Sequence, residues 1–191
     1  MRCLILAFEN FDDLPKNWRD FDVIDTYGAS KLTSEEIKKF IGNSKVKLKI
    51  YNQFFEIKNF QKPEQSYDLC FIRHPDPWGE PRNWLQAIAA LGECLKGKLT
   101  CEFWFPHEVV AFNFLLASLL GKENVKFLAA KQIGNVGEWK NYSAEWEVNP
   151  AKTQSEMLSV YQKKKQEILQ KFYKEVGQNY RDNFVLTDIK L

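Results

Sequence analysis

The chain has 191 residues, 45% of them hydrophobic and 15% aromatic, which suits one domain with a substantial core and excludes a disordered chain. Its 27 basic and 25 acidic residues leave a net charge of +2, too small for a protein that holds nucleic acid by bulk electrostatics. The longest apolar run, AFNFLLASLL at 111–120, contains Asn113 and Ser118 and is about half the length of a membrane span, so no membrane partner is expected.

The N-terminal MRCLILAFENFDD runs straight from a short apolar stretch into acids without a small-residue cleavage site, and a cytoplasmic protein is expected. Residues 2–8 form a continuous apolar run of strand length, and FDVID at 21–25 forms a second that stops at Asp25. Between them, DDLP reads as an N-cap and first-turn proline of a short helix. TSEEIKKFIG then has the residues of a capping box, Thr33 and Glu36, with Gly42 placed to end the helix. Residues 46–57 alternate like a strand, YDLCFI at 67–72 is another, NWLQAIAALGECL at 83–95 is helical, and 98–105 is a strand again.

From 106 a helix is expected with Pro106 in its first turn and Gly121 at its end, followed by two strands, NVKFLAAKQI and YSAEWEV. Strands alternating with helices predict an α/β fold of three layers with a mostly parallel sheet over 1–150. Residues 151–191 form a C-terminal helical extension, with one long helix at 153–176 whose Met157, Tyr161, Ile168, Leu169, Phe172 and Val176 lie toward one side. That stripe either packs back on the domain or joins a second copy in a homodimer. Cys3, Cys70, Cys94 and Cys101 show no CxxC spacing, and with only His74 and His107 to join them no metal site is expected.

The stretch YDLCFIRHPDPW at 67–78, then a helix, then LKGKLTCEFWF at 95–105, resembles the second half of the class I S-adenosylmethionine-dependent methyltransferase fold, a Rossmann-like sheet. PDPW at 75–78 is similar to the motif after the fourth strand of tRNA guanine-N7 methyltransferases. Gly79, Glu80 and Pro81 stand where that family carries a basic run, so tRNA binding is not implied. Pro75 and Pro77 fix two φ angles and stiffen the turn that bears Asp76 and Trp78.

The resemblance implies a methyl donor, S-adenosylmethionine, and a small-molecule acceptor, with Asp76 and His74 as catalytic candidates and Asp25, Asn52, Arg73 and Trp78 as donor-binding candidates. Asp25 answers to the acid that takes the ribose hydroxyls, and Asn52, Gln53 or Glu56 to the polar group near the adenine. For His74 beside Arg73, a base or anion-binding role stands against a simple hydrogen bond to a carbonyl. Trp84 and Trp104 are expected in the core, and Glu102 is placed facing the cleft. One requirement fails: no glycine precedes Gly28, whereas the family's donor loop after the first strand is glycine-rich. Two readings therefore stand, a methyltransferase with an atypical donor loop and an inactive methyltransferase-fold protein acting as a binding or scaffold module. An open slot beside Asp25 favours the first; a slot filled by Phe8 or Phe11 favours the second.

Overall fold

The computed structural model describes residues 1–51, 66–136 and 138–176. Seven strands form one sheet: β1 Arg2–Leu6, β2 Val23–Tyr27, β3 Lys47–Tyr51, β4 Leu69–Arg73, β5 Gly97–Phe103, β6 Val125–Val136 and β7 Trp139–Val148. Their order is β3-β2-β1-β4-β5-β7-β6. Neighbours from β3 through β5 are parallel, whereas β7 lies antiparallel between β5 and β6. The sheet is mostly parallel, as the alternation of strands and helices predicts.

The continuous apolar run of β1 follows from its central place, with both faces covered. Leu4 and Leu6 enter a large cluster with Ile72, Leu99, Phe103 and Trp146, and Cys3 and Ile5 enter a smaller one with Phe8, Ile24 and Phe71. Three helices build the large cluster: α2 Pro81–Leu91, α3 Pro106–Leu120 and α4 Gln154–Glu175. Asn113, a polar break in the apolar α3, accepts from Trp146 Nε1 at 2.9 Å, so its burial leaves neither group unpaired. Met157, Tyr161, Ile168, Leu169, Phe172 and Val176 of the C-terminal stripe are all buried, and α4 packs on α2 and α3.

The other face is covered over β1–β3 by α1, Ser34–Ile41, and by two single 3-10 turns, Phe11–Asp13 and Trp18–Asp20. The capping box of α1 is present: Thr33 Oγ1 accepts from Glu36 N at 3.2 Å and Glu36 Oε2 from Thr33 N at 2.8 Å. The short helix expected at DDLP is instead the first of the two turns, and its cap is Asn10, whose side chain accepts from Asp12 N at 2.8 Å. Compact turns, in place of a longer helix, make the crossover from β1 to β2. Among the described residues no helix covers this face over β5, β7 and β6, and the floor there is polar. All four cysteines are thiols buried at 0–2% exposure, where they pack as small apolar groups.

Candidate functional site

The sheet reverses its winding between β1 and β4, and the carboxyl ends of these two strands flank the crevice where open α/β sheets bind ligands. Each strand is followed by a non-glycine residue in the left-handed region: Ala7 at φ 61° and His74 at φ 44°. Such conformations cost on the order of 1–3 kcal/mol each, and they gather where the chain is held to a special shape.

The segment after β1 is held by Asp13, which is 2% exposed. Its Oδ2 accepts from the main-chain N–H groups of Glu9 and Asn10, at 2.6 and 2.9 Å, and its Oδ1 accepts from Arg73 Nη1. Arg73, at the end of β4, also donates from Nε to Glu102 Oε2 on β5 at 3.2 Å, and the same oxygen accepts from Asn141 Nδ2 on β7 at 3.3 Å. The crevice between β1 and β4 is thus spanned by the protein's own ion pairs. Arg73 is not free for an external ligand, and Glu102 faces this network, on the side where the sequence places it. Sequence reasoning misses Asn141 and reads Asp13 only as part of a helix cap; the signal for its buried role is an arginine ending a buried strand, which demands a buried anion.

The first-strand turn is closed as well. Phe8 N donates to Tyr27 O at 3.0 Å, which lays the main chain across the end of β2. A Cβ placed on Gly28 would stand 2.7 Å from the Phe8 carbonyl carbon, so glycine is required there for want of space. The Phe8 ring is fully buried in the smaller cluster, and Phe11 stacks on Phe40 at a centroid distance of 3.9 Å.

Asp25 does not stand at a strand end. The strand continues through Thr26 to Tyr27, and Asp25 lies at its middle, paired in register with Leu4 and Lys49. It is 4% exposed and accepts from Arg2 Nη2 and Tyr67 Oη, each at 3.0 Å. These partners lie 23 and 42 residues away in the chain and both engage Oδ2, while Oδ1 has Lys49 Nζ at 4.0 Å and no hydrogen bond. Burial and the adjacent Asp25 push the Tyr67 phenol far above its ordinary pKa. Asn52, Gln53 and Glu56 lie outside the described residues.

The Pro-Asp-Pro-Trp turn faces two ways. Asp76 is exposed, but its Oδ1 accepts from Gly79 N at 2.6 Å and so shapes its own turn. Trp78 packs edge-on against His107 and Phe172, tying the turn to α3 and α4 instead of presenting a ring to the crevice. Trp84 packs against the large cluster, edge-on to Phe112. Trp104 departs from expectation: β5 ends at Phe103, and the half-buried Trp104 ring stacks on His74 at 3.7 Å and 7°. Both ring nitrogens of His74 are buried without a hydrogen-bond partner. Burial, with Arg73 alongside, pushes the His74 pKa down to about 4, so the ring is neutral at pH 7.

Glu108, another group that sequence reasoning does not single out, caps α3 by accepting from the N–H groups of Trp104 and Phe105, at 3.0 and 2.9 Å. Burial raises its pKa to about 7; nearby Asp76 adds to the rise, and the two amides oppose it. The ends of β4 and β5 therefore carry a neutral imidazole and a carboxyl group that titrates near neutrality.

No family model and no curated protein matches the sequence. Solved structures do. An rRNA methylase from Streptococcus thermophilus superposes with a TM-score of 0.52 at 10% identity, over 78% of this chain and 86% of its own. A putative S-adenosylmethionine-dependent methyltransferase from Listeria monocytogenes gives 0.53 at 6% identity, over 78% and 91%. The chain has the class I methyltransferase fold. The [4+2]-cyclase SpnF also superposes, with a TM-score of 0.50 at 10% identity over 78% of this chain and 75% of its own. Likeness at this level defines the fold, and activity has to be argued from the site.

Proposed function

We propose that this chain is a methyltransferase-fold protein that works as a binding module and leaves the donor site unused. The observation that carries this reading is the Asp13–Arg73 pair, which fastens the first-strand segment across the crevice where a donor would lie. The Phe8 main chain against Gly28 supports it, as does the sequence from Thr26 to Thr33, which contains no acid to take the ribose hydroxyls. Opening the crevice for S-adenosylmethionine would expose a buried carboxylate and its guanidinium, a cost of several kcal/mol against any binding energy.

A second reading has its own observation. His74 is strained, neutral and unpartnered at both nitrogens beside Trp104, which suits a ring that accepts a hydrogen bond from, and so orients, a small molecule while a methyl group is transferred to it from S-adenosylmethionine. Asp76 would then stand by as the second polar group at the mouth of the site.

Calorimetric titration with S-adenosylmethionine and with S-adenosylhomocysteine separates the two. The binding-module reading expects no saturable heat up to about 1 mM ligand, a ceiling that corresponds to roughly −4 kcal/mol. One-site binding that is lost in His74→Asn would establish the methyltransferase reading instead.

A further inference from the structure

The face of β4, β5 and β7 that no described helix covers forms a groove of about 660 Å³, within the size range of small-molecule sites. One wall is the segment around the two 3-10 turns and the other is β6, which contributes Lys131. Leu69 and Phe71 line the β4 side of the floor, whereas its β5 and β7 side is polar, which disfavours an apolar helix as occupant and suits a small polar molecule.

Asn141 lies in this floor and is 6% exposed. The carboxylate of Glu102 takes its amide nitrogen at 3.3 Å and so fixes which end of the amide is the donor. Its Oδ1 is buried and has no hydrogen-bond partner. An orphaned acceptor in a protein interior costs on the order of 1–3 kcal/mol, and a ligand that donates a hydrogen bond removes that cost.

The charges narrow the class of ligand. Four basic and four acidic side chains line the groove, so it selects for no net charge. Arg73 is held by Glu102 and Asp13, and Lys98 by Glu145 at 2.8 Å. Lys131 has no ion pair among the described residues and stands directly across from Ser143 in the β6–β7 register, on the face that Asn141 shares two residues along the same strand. That stagger is about 7 Å.

We infer that the groove binds a small zwitterion, an amino acid or a dipeptide, with its ammonium group on Asn141 Oδ1 beside Glu102 and its carboxylate on Lys131. The inference deepens the binding-module reading and rests on it; the groove shares Arg73, Glu102 and Asn141 with the network at the crevice, and Ala7, Gly28 and His74, which do not line the groove, tell the two sites apart.

The test is a titration of ¹⁵N-labelled protein with each of the twenty amino acids, with glycylglycine, and with an N-acetylated, C-amidated dipeptide that lacks both charges. At least one zwitterion should give saturable amide shifts centred on Asn141, Ser143 and Lys131, and the blocked dipeptide should give none. Asn141→Leu should weaken binding about 10-fold or more, the worth of a hydrogen bond to a charged group. Lys131→Gln, at an exposed position, gives an independent arm if the leucine variant folds poorly, and should weaken binding of zwitterions alone. No shift from any probe at about 10 mM, a concentration that detects even feeble sites, would overturn the inference, as would shifts that both variants leave unchanged. S-adenosylhomocysteine forms a separate arm: shifts at Ala7, Gly28 and His74 would refute the closed crevice and the binding-module reading with it, whereas silence of Asn141 and Lys131 toward every amino acid overturns the groove whatever the crevice does.

Discussion

Arg73 donates to Asp13, and with the same guanidinium to Glu102, so that one side chain fastens the segment after the first strand to the fifth. Arg73→Ala leaves Asp13 buried with only its two main-chain donors. The expected loss is about 3 kcal/mol, the lower end for breaking a buried pair, measured as the shift in urea midpoint at unchanged slope. Arg73→Lys should recover only part of it, because a point charge cannot serve both carboxylates as a fork does.

Gly28→Ala tests the closed turn from the other side. Its methyl group meets the Phe8 main chain, which cannot rotate away as a side-chain tip would. A loss of about 1–3 kcal/mol in thermal or denaturant unfolding is expected. An unchanged melting temperature would mean that the first-strand turn moves aside readily, and that the crevice can open.

The two perturbed groups at the ends of β4 and β5 act on stability with opposite sign. Glu108 has its pKa raised to about 7, so the folded protein binds more protons than the unfolded chain between the ordinary carboxyl value and 7, and stability falls as pH rises through that window. His74 has its pKa lowered to about 4, so the unfolded chain binds more protons between about 4 and the ordinary imidazole value, and stability falls as pH drops through that window. In the native protein the two slopes offset each other over much of pH 4–7. Glu108→Gln, which keeps an acceptor for the two amides, should unmask a rise in stability with pH on the order of 1–2 kcal/mol. A tenfold change in proton affinity is worth about 1.4 kcal/mol, and solvent screening around the partly exposed imidazole reduces the full value. Denaturant midpoints at several pH values check it; a flat profile in the variant would refute the assignment to His74.

The left-handed backbone at His74 predicts an order among substitutions. Asparagine tolerates that region and a β-branched residue does not, while both lose the stack on Trp104 equally. His74→Val should therefore be less stable than His74→Asn by about 1–3 kcal/mol. Equal stabilities would show that the turn relaxes when the imidazole is removed.

What the sequence made legible was local. Thr33 and Glu36 announced the start of α1, the doubly apolar β1 announced a central strand, and the alternation of strands and helices announced a parallel sheet. The place of β7 between β5 and β6 was not legible, because an apolar strand pattern states that faces are buried without naming the neighbours. The misplacement of Asp25 has the same origin. An acid after an apolar run reads as an exit to solvent, and Arg2, Tyr67 and Lys49, brought from elsewhere, make it tolerable inside. Trp104 misled in reverse, since a ring in an apolar run reads as core until the strand ends one residue earlier. The crevice itself depends on Asp13, Arg73, Glu102 and Asn141, four residues from four separate segments that no spacing connects.

The four buried thiols give the molecule a built-in reporter. A thiol reacts as thiolate, and burial holds Cys70 and Cys101 far above their ordinary pKa, so a disulfide reagent in solution meets nothing it can attack while the chain is folded. Cys3 sits on β1 and Cys94 follows α2, so their labelling rates under native conditions separate opening at the crevice from opening of the helical layer. A substitution that frees the first-strand segment would quicken modification at Cys3 well before it touches Cys101, and the order of labelling would map which part of the fold gives way first.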